Sequence, residues 1–122
     1  MTLVARRRAE RRGHWAERLG LWHLRLRGYR LLARRFRVPS GEIDLIVRRG
    51  QVLAAIEVKA RADFATAGEA VSERQRRRIA RALEHFLLIH PELSRLVLRF
   101  DVMLVAPGRW PQHIADAWRI DD

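Results

Sequence analysis

Two short stretches hold the side chains best suited to chemistry, "GEIDLI" at 41–46 and "IEVKA" at 56–60. If the two segments pair as a hairpin, Glu42, Asp44, Glu57 and Lys59 crowd onto one patch. Carboxylate oxygens with few nitrogen ligands suit Mg2+ or Mn2+ rather than zinc. A cation held by Asp44 and Glu57 would polarise a phosphate oxygen and lower the pKa of its bound water. Among 25 Lys and Arg residues, Lys59 is the only lysine. An ammonium can lose its proton when desolvated, whereas a guanidinium effectively cannot. Lys59 could therefore orient or deprotonate that water, or stabilise charge on the phosphate in the transition state.

The elements around these residues must deliver that patch. "EIDLIVR" alternates, with Ile43, Leu45 and Val47 on one face and Glu42, Asp44 and Ile46 on the other. "QVLAAIEVKA" alternates too, with Leu53, Ala55, Glu57 and Lys59 sharing a face. A two-residue turn at Arg49-Gly50 pairs Arg48 with Gln51, Asp44 with Ala55 and Glu42 with Glu57. Directly paired residues lie on one side of a sheet, and like charges there repel. The bland alternative is a solvated outer face, but Ile46, Leu53 and Ala55 share it, which a solvent face would not normally carry.

Residues 13–27 read as a helix with two apolar stripes. Trp15, Leu19, Trp22 and Leu26 form one; Glu17, Gly20, Leu21 and Leu24 form the other. Gly28 is its expected C′ residue. Residues 1–12 read as a flexible Arg-rich arm, and 13–122 as a single domain. A strand is expected over 29–38, then a turn at Pro39-Ser40-Gly41. A second helix starts from a Ser72 cap, with Gln75 as capping-box partner, and stops at Pro91. Ile79, Leu83, Phe86, Leu87 and His90 line its apolar side; Arg74, Arg77, Arg78 and Arg81 line the other. A buried strand follows at 96–106, and 113–120 is a short strand or helix end. The strand after the second helix should run parallel to the one before it. Asp101 reads as a lone strand-end acid, and the five histidines as surface or core residues without metal-ligand spacing.

The formal net charge is +11. A domain this basic calls for a polyanionic partner, nucleic acid first and an anionic membrane surface second. Arginine inflated by a GC-rich genome would explain Arg over Lys, but not basic over acidic. There is no cysteine. That excludes disulfides, zinc thiolate sites and thiol nucleophiles, and suits a cytoplasmic location. No apolar run is long enough to span a membrane. The N-terminus lacks a signal peptide's apolar region; it could pass for a transit peptide, although Glu10 counts against that.

An acid on a first helix, "GEIDLIVRRG" at 41–50, "EVKAR" at 57–61, "EAVSERQRRR" at 69–78 and "RFDVMLV" at 99–105 together resemble a known pattern. The chain resembles the YraN-like uncharacterised family of the PD-(D/E)XK nuclease-like superfamily, whose members look related to Holliday junction resolvases. The resemblance implies an α/β restriction-endonuclease-like core, a mixed sheet in α-β-β-β-α-β order flanked by helices. It implies that Asp44, Glu57 and Glu17 are metal ligands, that Lys59 is the motif lysine, and that Gln75 is the polar residue opening the second helix. Arg74 and Gly20 depart from the family's usual lysine and alanine.

Two functions follow as expectations. One is a Mg2+- or Mn2+-dependent endonuclease acting on DNA, with Arg61, Arg74, Arg77, Arg78 and Arg81 tracking phosphates. The other is a nucleic-acid-binding module that keeps the fold without turnover. The stripe of Trp15, Leu19, Trp22 and Leu26 also suggests a homodimer, unless the loop carrying Trp110 and Trp118 covers it.

Overall fold

The structure, a computed structural model, describes residues 2–60 and 67–120. Five strands form one mixed sheet in the order β1-β2-β3-β4-β5. They are β1 (Arg30–Val38), β2 (Gly41–Arg49), β3 (Val52–Lys59), β4 (Val97–Leu104) and β5 (Gln112–Trp118). All neighbours are antiparallel except β3 and β4, whose parallel pairing matches the sequence expectation. Among the described residues the α-helices are α1 (Leu3–Leu26) before the sheet and α2 (Glu73–Ile89) in the β3–β4 crossover. Among the described residues no helix is long and apolar enough to cross a membrane.

The period-two pattern of β3 explains the layering. Leu53 and Ala55 join the core beneath α2, with Ile79, Leu83, Phe86 and Phe100. Ala54 and Ile56 join the core beneath α1, with Leu21, Leu24, Leu45 and Met103. Leu24, Leu45, Leu53 and Ile56 are fully buried, and each such side chain stabilises the fold by roughly 1.5–3 kcal/mol. The acid-bearing hairpin is therefore the covered centre of the sheet, not a solvated ribbon.

Helix α1 starts ten residues before the sequence expectation, because Thr2 caps it by accepting the Ala5 N–H at 3.1 Å. Its end follows the expectation. Gly28 has φ +88°, and Gly28 and Tyr29 donate to the Arg25 and Leu24 carbonyls, the hydrogen-bond pair of a Schellman motif. Of the two α1 stripes, the one with Gly20, Leu21 and Leu24 packs on the sheet. A Cβ on Gly20 would come within 2.9 Å of Met103 Cγ, which explains the departure from alanine. On the other stripe Trp22 and Leu26 stay exposed. The C-terminal loop does not cover them, because Trp118 is buried against Phe100 below α2 and Trp110 is exposed. Residues 112–118 settle as strand β5.

The β2–β3 register differs from the expectation by two residues. The turn is Gly50-Gln51, with Arg49 opposite Val52 and Leu45 opposite Ile56. Gly50 takes φ +60°, the left-handed geometry that makes glycine the natural first central residue of a type II′ turn. An even shift leaves every side chain on its expected face, so Glu57 and Lys59 keep the side of Leu53 and Ala55. Ile43 is the exception. It packs in the α2-side core with Ile46, while Leu45 packs under α1, so the alternation of β2 slips at Asp44.

Candidate functional site

The slip at Asp44 and the register together place it beside Glu57. Beyond Leu45 and Ile56 the regular ladder stops, and Asp44 Oδ2 instead accepts the Val58 N–H at 2.8 Å. The two carboxyls lie within hydrogen-bonding reach of each other. Lys59 Nζ stands 3.7 Å from Glu57 Oε1, and both side chains are largely buried, 17% and 15% exposed. Burial, then the neighbouring Asp44 charge, pushes the Glu57 carboxyl up to about 8, against the pull of Lys59. Burial also raises Asp44, while the Val58 N–H and the Glu57 carboxyl hold it down. Two carboxyls that cannot comfortably both ionise need a shared proton or a cation.

Such a donor set fits a hard divalent ion at Asp44 and Glu57. The third expected ligand is engaged elsewhere. Glu17 is buried on the sheet-facing stripe of α1, and both its oxygens receive Arg35 Nε, at 2.9 and 3.1 Å. Among the described residues no three His, Asp or Glu side chains are gathered as a metal-binding group. Asp44 and Glu17 nevertheless line one crevice of about 200 Å3 with Arg35, Arg37 and Glu42. Glu42 does not pair with Glu57. It is an exposed rim residue, 3.3 Å from Arg37 Nε.

Arg35 is a residue that sequence reasoning missed. It has φ +47° inside β1, a left-handed conformation costing about 1–2 kcal/mol for a residue with a Cβ. A signal for it existed. The first hairpin pairs Val38 with Gly41 and Phe36 with Ile43, so the same register arithmetic sets Arg35 opposite Asp44.

Gln75 sits at the third position of α2, where its Oε1 accepts the Ser72 N–H at 3.1 Å while the Gln75 N–H donates to Ser72 Oγ at 3.2 Å. The capping box thus engages this side chain. Arg74, Arg77 and Arg81 are exposed on α2; Arg78 is half-buried. Arg61 lies outside the described residues. A groove of about 300 Å3 beside α2 is lined by Arg76, Arg77, Arg81 and Arg119, with Trp118. Arg76 and Arg119 were not singled out in the sequence, because an arginine run alone does not tell which members meet the end of β5. The Arg76 guanidinium lies 5.6 Å from the Trp118 ring centre.

Asp101 proves to be a hub rather than a lone strand-end acid. It is fully buried. Arg99 grips both oxygens through Nε and Nη2 at 2.9 and 2.8 Å, His113 Nε2 lies at 2.7 Å, and the Asp116 N–H donates at 2.9 Å. Burial alone would raise its pKa, but these partners hold it below the ordinary value. The hub ties β4 to β5, and Arg99 carries it on to the Tyr29 hydroxyl at 2.6 Å.

Residues 16–105 match the family model described as "Uncharacterised protein family UPF0102". A UPF0102 protein of Parvibaculum lavamentivorans is 55% identical over 111 residues, covering 91% of this chain and 84% of the relative. One from Maricaulis maris is 53% identical over 114 residues, covering 93% and 90%. One from Paramagnetospirillum magneticum is 48% identical over 121 residues, covering 96% and 94%.

Proposed function

The chain belongs to the UPF0102 family, and from that premise we propose that it is a metal-dependent endonuclease of the PD-(D/E)XK type, acting on DNA in the cytoplasm. The observation that carries this reading is the largely buried Asp44–Glu57 carboxyl pair with Lys59 beside it. Mg2+ or Mn2+ bound there would polarise a phosphodiester oxygen and supply a nucleophilic hydroxide from water. The chain's own residues do the rest. Asp44, fixed by the Val58 N–H, and Glu57 hold the cation site. Lys59 orients the attacking water or stabilises charge growing on the phosphate. The exposed arginines of α2 supply contacts to the backbone, which set affinity but read no sequence.

The test is cleavage of single-stranded, duplex, flap and four-way DNAs with Mg2+ or Mn2+. Wild type should cut at least one of them. Glu57→Gln and Lys59→Met should each lower the rate by at least about 100-fold, with binding to DNA kept. A wild type that cuts nothing, and whose Mn2+ binding survives Glu57→Gln, would sink this reading. A second reading, a binding module without turnover, is favoured by the arginine-lined groove beside α2. It expects binding with a steep salt slope and no cleavage under any metal.

A further inference from the structure

Arg35 is the one cation in contact with Glu17 among the described residues, and it reaches it from a backbone conformation that arginine rarely adopts. The contact uses Nε alone, which leaves the two terminal nitrogens of the guanidinium for another anion. Arg35 is a third exposed while Glu17 is 8% exposed, so the pair spans from the interior to the crevice mouth. Asp44 lines the same crevice. A guanidinium held between a buried carboxylate and an open crevice has two competing sets of acceptors, carboxylate oxygens inside and phosphate oxygens outside.

We propose that Arg35 is a latch coupling cation binding to phosphodiester binding: it neutralises Glu17 in the empty site and transfers its guanidinium to the DNA phosphate, freeing Glu17 for the metal. This rests on the endonuclease reading and adds a regulatory residue to its site. Arg35 is a positioning residue here, acting through Glu17. Coupling of this kind is reciprocal, so DNA tightens the cation and the cation tightens DNA. It also limits cation capture when no DNA is present.

The experiment measures Mn2+ affinity by electron paramagnetic resonance, with and without a short phosphorothioate duplex that resists cleavage. The decisive variant is Arg35→Asn, since asparagine accepts a left-handed backbone and removes the charge. Arg37→Asn is the control; it removes a charge from the same crevice without touching Glu17. Wild type should bind Mn2+ at least about fivefold more tightly with DNA than without. Arg35→Asn should bind Mn2+ alone several-fold more tightly than Arg37→Asn does, and DNA should no longer change its affinity. Glu17→Gln should abolish the coupling from the other side of the pair. The latch is overturned if Arg35→Asn behaves like Arg37→Asn, or if the DNA effect in wild type is absent or equally large in Arg35→Asn. A Glu57→Gln variant separates the two failures. If Mn2+ binding ignores Glu57, the endonuclease reading falls and the latch with it. If it needs Glu57 but not Arg35, only the latch falls.

Discussion

Glu57 has the clearest pH consequence of any single residue. Its folded carboxyl titrates at about 8 instead of 4.5, chiefly through burial and the Asp44 charge. The native state therefore holds a proton that the unfolded chain releases earlier. Stability of the metal-free protein should be highest below about 4.5 as far as this group is concerned, fall as pH rises through the window up to about 8, and level off above. Thermal melts at pH 5 and pH 9 in a chelator will show this as a lower Tm at pH 9, and Glu57→Gln should flatten the difference. Added Mn2+ should restore the alkaline Tm of wild type but not of Glu57→Gln. The shared face of Glu57 and Lys59 was legible in the sequence because strand alternation survives any even error in register; the place of Asp44 beside Glu57 was not, because it depends on the slip in β2. For Arg35, the place opposite Asp44 was within reach of hairpin arithmetic, but its left-handed backbone was not, because that conformation is set by packing of distant elements.

At the scale of elements, close approach and capping hold the site's walls. A Cβ on Gly41, at the start of β2, would lie 1.8 Å from the Arg78 carbonyl oxygen in α2. Gly41→Ala should push α2 off the hairpin and cost about 1–3 kcal/mol, read by chemical denaturation. Gln75 offers a cleaner separation of roles. Gln75→Ala should lose the reciprocal cap and about 0.5–1 kcal/mol. Gln75→Glu should keep that stability, since a carboxylate can also accept the Ser72 N–H. If Gln75→Glu is stable yet impaired in cleavage, its amide works beyond the cap. Helix α2 was readable because Ser72, Gln75 and Pro91 mark its ends chemically. The start of α1 was misplaced because Gly13 and weak periodicity outweighed the Thr2 cap. The hub at Asp101 was hidden because His113 and Asp116 join Arg99 around it only when β5 pairs with β4.

For the whole molecule, +11 of net charge is the dominant fact. Affinity for DNA should fall steeply and log-linearly with salt, with a slope set by the number of phosphates neutralised. Removing two groove arginines together, Arg77→Ala with Arg81→Ala, should reduce that slope by about 2. The uncovered Trp22 and Leu26 leave the homodimer as a concrete proposal. In sedimentation at moderate salt, wild type should run as a dimer and Trp22→Glu with Leu26→Glu as a monomer. A wild-type monomer at high protein concentration would end that idea. The architecture was legible because element order and the parallel step follow from periodicity and connection length. Which stripe of α1 faces the sheet was not, because both are apolar; the packed one carries Gly20, whose backbone lies close against Met103.

The Gly50-Gln51 turn, finally, makes the molecule a natural spectroscopic ruler. It lies six residues along β3 from Glu57, about 20 Å of strand at ~3.3 Å per residue. The chain contains no cysteine, so Gln51→Cys would create a unique thiol on an exposed tip. A nitroxide attached there would feel a Mn2+ ion at Asp44 and Glu57 through the space between. Site occupancy could then be followed at the far end of the hairpin, with no reporter near the carboxyl pair.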